Sequence, residues 1–80
     1  MRLHRLAATV GIPAHQIRYL EEKGFVKSRW KELKRRKVKE YSENEVRKIQ
    51  YIAKYLNQGF RYEVAYEKAM DELARPRLPI

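Results

Sequence analysis

Leu3, Leu6, Ala7 and Val10 recur at i, i+3, i+4 and i+7, which predicts a first amphipathic helix over residues 3–10. Arg2 is no N-cap residue, and the chain amine adds positive charge to an already positive helix end, so that end is expected to fray. Gly11 lets the chain reverse through positive φ. Pro13 suits the opening of a second helix, expected from about Pro13 to Lys23, with Gly24 as its stop. Ile12, Ile17 and Leu20 then turn inward, and Ala14, His15, Gln16, Arg18 and Tyr19 stay on or near the outer side.

Farther along, Phe25-Val26-Lys27 and Val38-Lys-Glu-Tyr41 read as short β-type runs flanking a basic loop. Ser42-Glu-Asn-Glu45 is a capping box, opening a helix from about Glu43 to Gln58 whose buried stripe is Val46, Ile49, Ile52, Ala53 and Leu56. Gly59 ends it, and Phe60 is expected to pack back on the core. A fourth helix, about Arg61 to Ala74, presents Tyr62, Ala65, Tyr66, Ala69, Met70 and Leu73. Pro76 and Pro79 prevent its continuation, which sets one domain over 1–75 and a flexible tail over 76–80. The fold class is mostly α: four helices with a small two-stranded wing between the second and third. Two helices crossing at a glycine turn, followed by a wing, make a winged helix-turn-helix, in which the second helix enters a DNA major groove.

Charge sharpens this reading. The chain of 80 residues has 19 Lys and Arg against 10 Asp and Glu, a net of +9, which calls for a polyanionic partner. From Lys27 to Lys39 there are eight basic residues and one acidic, Glu32, a net of +7. Cysteine is absent, so disulfides, thiolate metal sites and cysteine nucleophiles are excluded. The isolated His4 and His15 make no metal site, and no nucleophile–base pair or phosphate loop points to an enzyme. No apolar run reaches the length of a membrane span and no signal sequence follows Met1, so a cytoplasmic, nucleoid-associated protein without cofactor is expected.

Certain pieces of this chain resemble the MerR family of transcription regulators in order and spacing: Leu6-Ala7 with Gly11-Ile12, Ile17-Arg18-Tyr19 with Glu21, Gly24-Phe25-Val26, Tyr41-Ser42, and Leu56 with Gly59-Phe60. The resemblance covers nearly the whole chain. It implies a recognition helix over about 13–23 and a wing over about 25–41. It places His15 and Gln16 where members reach into the groove, Arg18 and Tyr19 on backbone or base edges, Lys39 at the wing's usual arginine, and Tyr41 at its closing tyrosine. There are departures. Leu20 replaces a second tyrosine, the wing lacks a glycine pair, and the family's long dimerising helix and effector domain are not in this sequence. No turn dipeptide lies between Lys27 and Lys39, and Trp30 to Lys37 are mostly good helix formers, so the wing tip is expected as a short basic helix or a loop that orders on DNA.

Phosphates need cations at fixed points, and base edges need forked or planar hydrogen-bonding groups. The candidate DNA-binding residues are His15, Gln16, Arg18, Tyr19, Lys27, Arg29, Lys34, Arg35, Arg36, Lys37, Lys39 and Tyr41. Trp30 is expected to pack on its own domain rather than stack on a sugar or wedge into a groove, and Tyr51 and Tyr55 are read as packing residues. Duplex DNA is the expected partner, in transcription regulation, with a second copy or a partner protein supplying specificity. The alternatives are an excisionase-like or terminase-like architectural or recombination protein and a basic RNA-binding protein.

Overall fold

The structure is a computed structural model that describes residues 1–75. Its elements run α1 (Leu3–Val10), α2 (Ala14–Glu22), β1 (Arg29–Leu33), β2 (Arg36–Glu40), α3 (Glu43–Asn57) and α4 (Tyr62–Ala74). The winged helix-turn-helix architecture is therefore present: four helices, with a two-stranded antiparallel sheet between α2 and α3. The tail expected over 76–80 lies outside the described residues.

Both glycine stops work as the sequence implies. Gly24 has φ +83°, and its N–H donates to the Glu21 carbonyl at 3.0 Å while that of Phe25 donates to Leu20 at 2.9 Å. Gly59 has φ +97°, with its own amide on Leu56 at 3.0 Å and that of Phe60 on Tyr55 at 3.2 Å. Each pair satisfies helix-end carbonyls in a Schellman motif. This explains why Phe25-Val26-Lys27 is not a strand. The amides of Phe25 and Val26 both point back at Leu20 O, at 2.9 and 3.4 Å, and so are spent on the helix cap rather than on a ladder.

The second expected run does lie in a strand, since Val38–Glu40 is the end of β2, but its partner is the first half of the basic stretch. Arg29 pairs with Glu40, Trp30 with Lys39, Lys31 with Val38, Glu32 with Lys37 and Leu33 with Arg36. Only Lys34 and Arg35 remain to turn the chain, and Lys34 takes φ +53° in place of the glycine such a turn prefers. The expected basic helix or loose loop is thus a tight hairpin. Opposite charges face each other at two of its five pairs, and such cross-strand pairing outweighs a weak helical preference.

The other end of the wing is tied to the start of the chain. Met1 and Tyr41 exchange two hydrogen bonds, the chain amine donating to Tyr41 O and the Tyr41 amide to Met1 O, each at 2.9 Å. The start of α1 has no side-chain cap, as its sequence implies, and this bridge holds Met1 against the exit of the wing. Pro13 is the N-cap of α2 rather than its first helical residue.

Leu6, Ile12, Ile17, Leu20, Val26, Tyr41, Ile49, Ile52, Ala53, Ala65 and Ala69 form a single core, drawn from all four helices and the wing's exit. In α3, the Ser42 hydroxyl accepts the Glu45 amide at 3.3 Å, as the capping box implies. α4 is held on α3 by a clasp at Glu72, which accepts from Lys54 at 3.0 Å and from the Tyr55 hydroxyl at 2.9 Å. Phe60 does not enter the core. It is 38% exposed and sets its edge on Tyr55, with centroids 5.9 Å apart, the side contact that accompanies the cap.

Two substitutions test this account by urea unfolding. Ile49→Ala should cost about 2–5 kcal/mol, because the site is fully enclosed. Gly59→Ala should cost about 1–2 kcal/mol purely through positive φ, since a Cβ there would meet nothing within 4 Å.

Candidate nucleic-acid interface

α2 and the wing meet at one carboxylate. Glu21 sits beside the inward Leu20, so its side chain runs along the edge of the core rather than into solvent. A carboxylate in that position needs partners. Oε2 takes the Lys39 ammonium at 2.6 Å, and Oε1 accepts the Tyr41 hydroxyl at 2.8 Å. Burial pushes the Glu21 carboxyl up, but hydrogen bonds from Lys39, Tyr41 and Ser28 outweigh it and leave the group below the ordinary value of 4.5. The Tyr41 phenol is driven well above its usual range, first by burial and then by the hydrogen bond and charge of Glu21. The charge of Arg18 opposes that rise.

The expected site residues distribute around this node. His15 and Arg18 are exposed on α2. Gln16 is half-buried and lines a hollow with Asn57, Phe60 and Arg61 at the α3–α4 turn. The Tyr19 ring packs on Tyr62 with centroids 4.3 Å apart, and Lys23 lies over it at 5.6 Å. Lys27 and Arg29 are exposed where the chain enters the hairpin; Lys34, Arg35, Arg36 and Lys37 are exposed around its tip.

Two of the eight cations between Lys27 and Lys39 are already paired: Lys39 with Glu21, and Lys31 with Glu40 at 3.6 Å. The remaining six have no carboxylate within 4.0 Å among the described residues. Tyr41 is not a surface residue. It is 2% exposed with its hydroxyl on Glu21, so it supports the wing from inside. Trp30, expected to pack on its own domain, is 66% exposed, with the Lys39 ammonium 5.4 Å from its ring centre.

The sequence reading passed over Glu21 as a structural node, although its place next to an inward leucine signalled a carboxylate in need of a partner. Nothing in the sequence signalled the Met1–Tyr41 bridge, because backbone pairing carries no side-chain signature.

A helix pair crossing at a glycine turn, with a cationic hairpin fastened to the second helix, defines a winged helix-turn-helix of the DNA-binding kind. The model of the MerR HTH family regulatory proteins matches residues 1–71. The chain belongs to that family, a family of regulatory proteins that bind double-stranded DNA and not of enzymes. No curated protein matches the sequence. Among the described residues no helix is long and apolar enough to cross a membrane, and no group of three or more His, Cys, Asp or Glu is arranged to hold a metal ion.

The depressed Glu21 carboxyl gives a signed pH test. A group whose folded pKa lies below its unfolded value contributes stability above the unfolded value and loses it as pH falls through the folded one. Glu21→Gln should therefore be less stable than the wild type at neutral pH, and the gap should close as pH falls below the ordinary carboxyl value of 4.5 and through the lower folded one. Urea titrations at several pH values measure it; a gap independent of pH would mean that the charge of Glu21 is not what holds the wing.

Proposed function

We propose that this chain binds duplex DNA by laying α2 in the major groove while the β1–β2 hairpin lies along the adjacent phosphates, and that it does so as the DNA-binding part of a transcription regulator. The observation that carries this reading is the Glu21 clasp. It makes the outer side of α2 and the cationic hairpin one continuous, preorganised surface, with six cations left for an external polyanion.

In this reading His15 and Gln16 reach base edges, where Gln16 can both donate to and accept from an adenine. Arg18 offers a fork to a guanine edge or a phosphate. The Tyr19 hydroxyl meets a phosphate from a ring already held by Tyr62 and Lys23. Lys27, Arg29, Lys34, Arg35, Arg36 and Lys37 contact phosphates, which position the protein without reading sequence. Lys39 and Tyr41, expected at first as direct contacts, act through Glu21 by setting the wing angle. One copy covers too little DNA for high selectivity, so two copies spaced by a helical turn, or a partner protein, supply it.

Titration of a labelled duplex at several salt concentrations tests the proposal. Neutralising about five phosphates should give log K against log salt a slope of about −4 to −5. Arg35→Ala/Arg36→Ala should weaken binding across all sequences and flatten that slope by about 2. Arg18→Ala should cost about 1–3 kcal/mol. Unchanged duplex affinity in both variants would refute this contact surface.

A further inference from the structure

Trp30 is the chain's single tryptophan and, at 66%, its most exposed large apolar side chain among the described residues. Its position is fixed. It stands directly across the hairpin from Lys39, whose ammonium lies 5.4 Å from the ring centre and 2.6 Å from Glu21 of the recognition helix. Alternation along the strands puts Glu32 and Lys37 on the same hairpin face. That face looks toward α2, because Lys39 reaches Glu21 across the gap. The notch between α2 and the wing is therefore lined by an indole, by Lys37 paired across the strands with Glu32, and by Lys39 neutralised by Glu21.

Resting on the DNA-binding reading above, we infer that Trp30 is a DNA-contact residue, its free ring face stacking on the sugar or base edge of the strand seated between recognition helix and wing. The surroundings select this occupant. Lys37 and Lys39 stand on the same hairpin face as the indole, so an apolar protein surface docking there would have to strip water from both. A DNA strand offers a flat apolar face and phosphates within one nucleotide, which satisfies the ring and the lysines together. The ring is already held on one side by an ammonium that is itself neutralised, so little side-chain freedom is left to lose on binding. The wing thus adds a charge-free contact to the phosphate contacts of its tip.

A lone tryptophan allows a direct test on the full chain. A short mixed-sequence duplex with an end label is titrated at low salt, recording label anisotropy and tryptophan emission in the same sample. Emission should be quenched along the anisotropy isotherm. Trp30→Ala should bind about tenfold more weakly, within the range of base–aromatic stacking, and Trp30→Phe should recover most of that loss. The salt slope of Trp30→Ala should equal that of the wild type, because no charge is removed. Thermal melts of both variants should match the wild type, since the ring is not in the core. Rising anisotropy with flat emission, or unchanged affinity in Trp30→Ala, would overturn the inference while leaving DNA binding in place. An anisotropy that never rises would bring down the DNA-binding reading and this inference with it.

Discussion

The geometry of this domain depends on a carboxylate that cannot leave the edge of the core. Glu21 follows Leu20 on the recognition helix, so burial of the leucine carries the glutamate into a site only partly reached by water. An ion there is tolerable only if its oxygens are occupied, and the chain supplies two donors from the wing, one charged and one neutral. Desolvation is thereby turned into orientation. The wing has to lie where Lys39 and Tyr41 can reach the end of α2, and the angle between α2 and the wing follows from that requirement.

Such a strut is needed because the hairpin is weak by itself. Two isolated strands are marginal in water, and these two carry mostly like charges, with one partly buried apolar residue on each, Leu33 and Val38. Cross-strand pairs remove part of the repulsion. The remainder is offset at the base of the wing, where Met1 pairs with the Tyr41 backbone and the Tyr41 ring enters the core. Cations at the tip stay unpaired, so a charge density costly to the free protein is available to a polyanion. Stability is concentrated at the root of the wing and charge at its end.

The helical half plays the complementary part. α3 and α4 pack together and are clasped at Glu72, and two aromatic contacts join α4 to α2 and its cap: Tyr62 on Tyr19, and Tyr66 stacked on Phe25 at 4.6 Å. Both reach the second half of α2 or its cap. α2 is thus gripped from two sides, by the wing through Glu21 and by α4 through rings, while His15 and Arg18 stay exposed on it. In a chain this short, where the core supplies limited stability, these edge contacts keep the binding face in register.

The sequence by itself determined the four helices, the glycine stops, the capping box, the buried stripe and the concentration of charge after the second helix. All of these are local: a period of 3.6, a residue without Cβ, or a hydroxyl three positions before a glutamate acts within a turn or two of chain. The existence of a wing and the β run from Val38 were legible too; only the tertiary structure decided where the other strand lies and how tight the tip is. Arg29–Leu33 could not be read as a strand, because no alternation of apolar and polar residues marks it; what makes it one is its pairing with Arg36–Glu40 and the anchor at Tyr41. The same holds for Lys39, Tyr41 and Trp30. A lysine, a buried phenol and an exposed indole acquire their roles from partners up to 40 residues away in the chain, and pairing over that distance leaves no trace in local periodicity.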